Sequence, residues 1–75
     1  MNNTENFYDI ILITYHGTSI YEEVSETYED IDNARADAIY YSESGNYDRV
    51  ILRHIFYDND YEDIEIIYEW SKDND

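Results

Sequence analysis

The stretch YEEVSETYEDID, Tyr21 to Asp32, holds six carboxylates in twelve residues and no Lys or Arg. It belongs to an imbalance that runs through the chain. Nineteen acids face four bases, Arg35, Arg49, Arg53 and Lys72, for a net charge of −15. Self-repulsion of that size weakens any compact state, and high charge with low hydropathy is also the composition of disordered chains. A fold therefore requires enough apolar surface to offset the repulsion. Ile, Leu, Val and Phe make up seventeen of 75 residues, above the roughly 20% below which disorder is expected. They fall into periodic runs, and ten Tyr and one Trp add large apolar area. The expectation is one small folded domain over residues 1–75, with a thin core.

The periodicity gives the order of elements. YDIILITYH (8–16) reads as a strand with β-branched residues on both faces, and HGTS makes a turn. IYEEVSE (20–26) alternates loosely, with Ile20 and Val24 on the side of Glu22 and Glu26. A helix follows, with Thr27 as N-cap and Asp30 three residues on in a capping-box arrangement. Ile31, Ala34, Ala38 and Tyr41 form its apolar stripe, and Gly45 is its stop. A competing reading runs one helix from Ser19 to Glu43, but Ser25, Thr27 and the Asp-rich middle are poor helix formers. YDRVILRHIFY (47–57) and YEDIEIIYEW (61–70) read as strands joined by a hairpin at DND (58–60). Strict alternation in the last strand puts Ile64, Ile66, Tyr68 and Trp70 on one side and Asp63, Glu65 and Glu69 on the other. The expected fold is α+β: a small antiparallel sheet in the order β-β-α-β-β, with one helix packed on one face.

One helix covers one face. Whichever way the first strand faces, one of its apolar sets, Ile10 and Leu12 or Ile11, Ile13 and Tyr15, points away from the helix. The second set is taken as the outer one, with Ile51, Ile55 and Tyr57 of the third strand beside Arg49 and Arg53. An uncovered apolar patch of this kind is expected to be a homodimer interface, unless long Tyr and Arg side chains shield it within one chain.

Site chemistry is sparse. There is no Cys, so thiolate metal sites and disulfides are excluded. His16 and His54 stand on strands or strand ends, and Ser42 and Ser44 belong to no nucleophile motif, so no enzyme activity is expected. DNDYEDIEIIYE (58–69) has acids at the first, third, fifth and twelfth positions of a calcium loop. Its sixth position is Asp63 rather than Gly, and its second half alternates as a strand does. No cofactor and no metal are expected. The negative charge opposes direct binding to nucleic acid or to anionic lipid. MNNTENFYD shows no basic segment leading into an apolar run, and the longest apolar run, IILI, is far short of the roughly 20 residues that cross a bilayer. A soluble cytoplasmic protein is expected.

The acids remain. A charge of about 2–8 suffices to keep a small domain soluble, so −15 asks for more than a solvated face. Strand residues on one face repeat every ~6.6–6.8 Å, so Glu22 with Glu26, or Glu65 with Glu69, would set rows of carboxylates at roughly twice the 3.4 Å phosphate step of DNA. Tyr and Trp among them are rigid interface anchors. Glu22, Glu23, Glu26, Glu29, Asp30 and Asp32 form one candidate partner-binding segment. Asp58, Asp60, Glu62, Asp63, Glu65 and Glu69 form the other.

In size, charge and Tyr-rich acidic stretches, YEEVSETYEDID and YDNDYEDIEIIYEW, the whole chain resembles the small acidic DNA-mimic proteins of bacteriophages. These act on sliding clamps, restriction and CRISPR enzymes, or uracil-DNA glycosylase, and the chain looks most like the staphylococcal phage inhibitors of the replicative sliding clamp. The resemblance lies in charge pattern, not in a motif, so it assigns no residue a role. It implies an inhibitor in the host bacterial cytoplasm that fills the DNA-binding channel of a basic host protein. Two other classes fit the same composition: an immunity-type protein covering a basic toxin, and a structural phage domain with a solvated surface.

Overall fold

A computed structural model describes residues 4–72. The chain runs β1 (Thr4–His16), β2 (Ser19–Val24), α1 (Ile31–Ser44), β3 (Arg49–Asp58) and β4 (Tyr61–Ser71). The strands form one antiparallel sheet in the order β2-β1-β3-β4, with the helix across one face. β1 begins at Thr4 rather than Tyr8, because β3 pairs along its whole length, from Thr4 opposite Asp58 to Ile13 opposite Arg49. Two-residue turns close both hairpins. Gly17 takes a positive φ in the first and Asn59 in the second, the residue types that adopt this conformation at least cost.

The core lies between helix and sheet. Ile10 and Leu12 of β1 meet Val50 and Leu52 of β3 beneath Ala34 and Ala38, with Tyr28 beside them. Ala34, Ala38 and Ser42 fall four apart on one helical stripe and are all buried. Their small size lets the helix axis approach the sheet, and the larger rings of Tyr41, Tyr47, Tyr68 and Trp70 close around it. The Ser42 hydroxyl donates to the Ala38 carbonyl at 2.8 Å and lies 3.2 Å from the Tyr68 hydroxyl. Gly45 ends the helix in the left-handed region at φ 80°.

Two expectations are corrected. The helix starts at Ile31 with Asp30 as N-cap, its Oδ1 accepting from the Asp32 N–H at 3.1 Å, and not at Thr27. Tyr28 exchanges two backbone hydrogen bonds with Tyr8, at 2.9 and 2.7 Å. An extended residue held at both its N–H and its C=O cannot sit in a first helical turn. The second correction is in β4. The register shifts opposite Leu52 and Arg53: Leu52 pairs with Tyr68 and Arg53 with Ile66, leaving Ile67 as the extra residue of a bulge. Strict alternation therefore breaks. Ile64 and Ile66 point to the bare face, while Tyr68 and Trp70 point to the helix.

The molecule is elongated, 49 × 25 × 22 Å with a radius of gyration of 13.9 Å, against about 11 Å for a compact domain of this length. Fourteen helical residues span only ~21 Å, so the sheet extends past the helix. There, on the helix side, Tyr8 stacks on His54 with centroids 5.0 Å apart, and His54 Nε2 lies 2.8 Å from Asn6 Oδ1.

Candidate interaction surfaces

Both acidic segments occupy sheet edges, and the edges are opposite ones. β2 hydrogen-bonds along β1 from His16 to Ile11. The chain then continues down the same edge. The Ser25 N–H donates to the Ile10 carbonyl at 2.9 Å, Ser25 Oγ accepts from the Ile10 N–H at 3.0 Å, and Tyr28 pairs with Tyr8. Glu22, Glu23, Glu26 and Glu29 therefore follow one long edge, ending at Asp30 and Asp32 on the helix N-terminus, where anions are favoured. Glu69, Glu65, Asp63 and Glu62 descend the other edge on β4, with Asp60 in the turn below. Three strand spacings separate the two edges, roughly 14 Å.

The carboxylate rows expected along single strands do not form. Glu65 is opposite His54 and Glu69 opposite Ile51, so the bulge at Ile67 sends the pair to different faces. β2 ends at Val24, which leaves Glu26 in the connection outside the strand. Glu69 is ion-paired with Arg49. Glu62 shares a hydrogen bond with the Tyr57 hydroxyl, which raises that group's pKa. Asp58 lies at the strand end with a buried Oδ1 that has no partner among the described residues.

The face away from the helix carries all six residues expected at a dimer interface. Ile11 and Ile13 are nearly closed off, Ile51 and Ile55 are half-buried, and Tyr15 and Tyr57 are exposed. Asp9 and Arg53 form a two-point ion pair between them, with Asp9 buried. Its hydrogen bonds to Asp9 raise the Arg53 pKa further above its ordinary value. The most exposed aliphatic residues on this face are others: Ile20 at 67%, Ile66 at 57%, Val24 at 55% and Ile64 at 46%. Alternation placed Ile64 and Ile66 on the same side as Tyr68 and Trp70, which the structure separates from them. The adjacent pair Ile66–Ile67 was the signal that the phase changes there.

Tyr28 and Asp37 tie the β2–α1 connection to the helix through a 2.7 Å hydrogen bond. Burial and that bond together push the Tyr28 hydroxyl well above the usual tyrosine range. Among the described residues, no group of three or more His, Asp or Glu is placed to hold a metal ion, and no helix is long and apolar enough to cross a membrane. No family model, curated protein or solved structure matches the chain.

Proposed function

We propose that the chain is a DNA mimic: an inhibitor that enters the DNA-binding channel of a basic host protein and blocks access by DNA, with the replicative sliding clamp as the first target to test. The observation that carries this reading is the pair of acidic edges. They run side by side roughly 14 Å apart, comparable to the ~12 Å major groove that separates the phosphate strands of B-DNA. Over a 49 Å body with a net charge of −15, there is one uncompensated charge every 3–4 Å or so, near the 3.4 Å phosphate step of a single strand. A flat basic patch would meet only one edge. A channel lined by Lys and Arg meets both.

The mechanism is electrostatic and steric. Long-range attraction speeds encounter, and the sheet then occupies the volume DNA would need. No bond is made or broken. Binding to purified sliding clamp should be measured by calorimetry at ~50 mM and ~500 mM salt, alongside DNA competition. Binding is expected at the lower salt and loss of at least tenfold at the higher. Glu22→Gln with Glu23→Gln, and separately Asp63→Asn with Glu65→Gln, should each weaken it. If the clamp and other DNA-channel proteins do not bind, or if binding ignores salt and both edge pairs, the reading fails.

A further inference from the structure

Where the sheet extends past the helix it carries a surface distinct from both edges, and we infer that it is a docking shelf for arginine side chains of a partner protein. Tyr28 pairs with Tyr8 before the helix begins. The helix therefore packs over Ile10, Leu12, Val50 and Leu52 and leaves the rows beyond Tyr8 open. Three successive cross-strand pairs of β3 and β4 follow there: His54 with Glu65, Phe56 with Asp63, and Asp58 with Tyr61. Each sets one aromatic ring beside one carboxylate. All six residues are on the helix side, because β3 alternates outward from buried Leu52 and β4 keeps regular register on this side of its bulge. Directly opposite residues hold their Cβ atoms about 5 Å apart, and successive pairs on one face stand ~6.8 Å apart.

Charge and ring chemistry identify the occupant. Tyr8 stacks on His54 from the β1 side, with centroids 5.0 Å apart and planes 19° from parallel, so the other imidazole face looks toward β4 and Glu65. Phe56 meets His54 edge to face. Ring faces carry the negative end of the aromatic quadrupole. Ring face and carboxylate thus share a sign, and one cation answers both. The rows themselves hold no base. Arg49 and Arg53 are paired to Glu69 and Asp9 on the opposite face, Lys72 follows the far end of β4, and Arg35 is on the helix. One Asp58 oxygen is closed off from solvent with no hydrogen-bond partner among the described residues.

Guanidinium suits these pairs better than ammonium. It is planar, and it can stack on a ring while forking two N–H groups onto the adjacent carboxylate. Lys offers a compact, strongly hydrated point charge instead. A second copy of this chain would bring a net charge of −15 to an acidic shelf. The inference is separate from the DNA-mimic reading. That reading rests on total charge along two edges, whereas the shelf selects arginine through its rings.

NMR titration of the labelled full chain with hexa-arginine and with hexa-lysine, at ~150 mM salt, tests it. The peptides carry equal charge, so the difference between them reads the shelf. The expected result is a dissociation constant at least ~threefold lower for hexa-arginine, with the ring signals of His54 and Phe56 moving most. Phe56→Leu keeps charge and apolar character but removes the ring, and it should abolish most of that preference. Phe7→Leu, the matching change on the opposite face, should leave it in place, with circular dichroism confirming both folds. Asp63→Asn with Glu65→Gln alters only exposed side chains and should also reduce the preference. Glu22→Gln with Glu23→Gln, an equal charge change on the other edge, should lower both affinities alike. Equal affinities for the two peptides, a preference that survives Phe56→Leu and the Asp63 and Glu65 changes, or ring signals that move with chain concentration alone would overturn the inference.

Discussion

Asp9 on β1 and Arg53 on β3 stand directly opposite each other and close a two-point ion pair, at 2.8 Å from Nε to Oδ1 and 2.7 Å from Nη2 to Oδ2. The pair lets a buried carboxylate sit among isoleucines in the middle of the bare sheet face. Removing one partner leaves the other charge without compensation. Loss of half of a fully buried pair costs about 3–5 kcal/mol. The Arg53 side chain is 28% exposed, so Asp9→Ala should cost nearer ~2–3 kcal/mol. Asp9→Leu combined with Arg53→Met should be neutral or slightly stabilising. Urea denaturation of the two variants separates the outcomes, and equal losses in the single and double variants would contradict the account.

Helix capping gives a test at the helix start. Asp30→Ala should destabilise the protein by about 1 kcal/mol, the usual worth of an N-cap. Thr27→Ala should stay within ~0.5 kcal/mol, because Thr27 lies in the extended connection. Thermal unfolding of the pair would reveal a reversed order.

The close approach of helix to sheet rests on Ala34 and Ala38, both fully buried. Ala38→Leu adds volume where the sheet leaves none and should cost roughly 1–3 kcal/mol or more. The same change at exposed Ala36 should be nearly neutral. Similar losses at both sites, read from urea midpoints, would show that the helix stands off the sheet.

Stability should decline in alkali. Tyr28 and Tyr41, chiefly through burial, and Tyr57, through Glu62, hold their hydroxyls above the ordinary value, which is about 10 in an unfolded chain. Above that pH the unfolded state releases protons that the native state keeps, so stability is fully present below pH ~10 and falls as pH rises beyond it. Tyr28→Phe should flatten that decline, while losing about 1 kcal/mol at neutral pH with the bond to Asp37. Urea titrations between pH 8 and 11 read both effects, and an unchanged slope in the variant would assign the decline elsewhere.

Local pattern in the sequence determined the order of elements, the helical stripe of Ile31, Ala34, Ala38 and Tyr41, the Gly45 stop and the hairpin at Asp58–Asp60. Each depends on residues within a turn or two of one another. It also determined the charge, nineteen acids against four bases. Only the tertiary structure decided the helix start, because Tyr28 is claimed by Tyr8, twenty residues away in sequence. It alone decided the faces of β4, because the doubled Ile66–Ile67 is absorbed by a bulge whose position is set by pairing with β3. That one slip separates Glu65 from Glu69 and moves Ile64 and Ile66 to the bare face. The two acidic segments likewise came to lie on opposite edges because β1 and β3 pair in the middle of the sheet. Strand order is a contest among long-range pairings, and no local spacing of residues encodes its result.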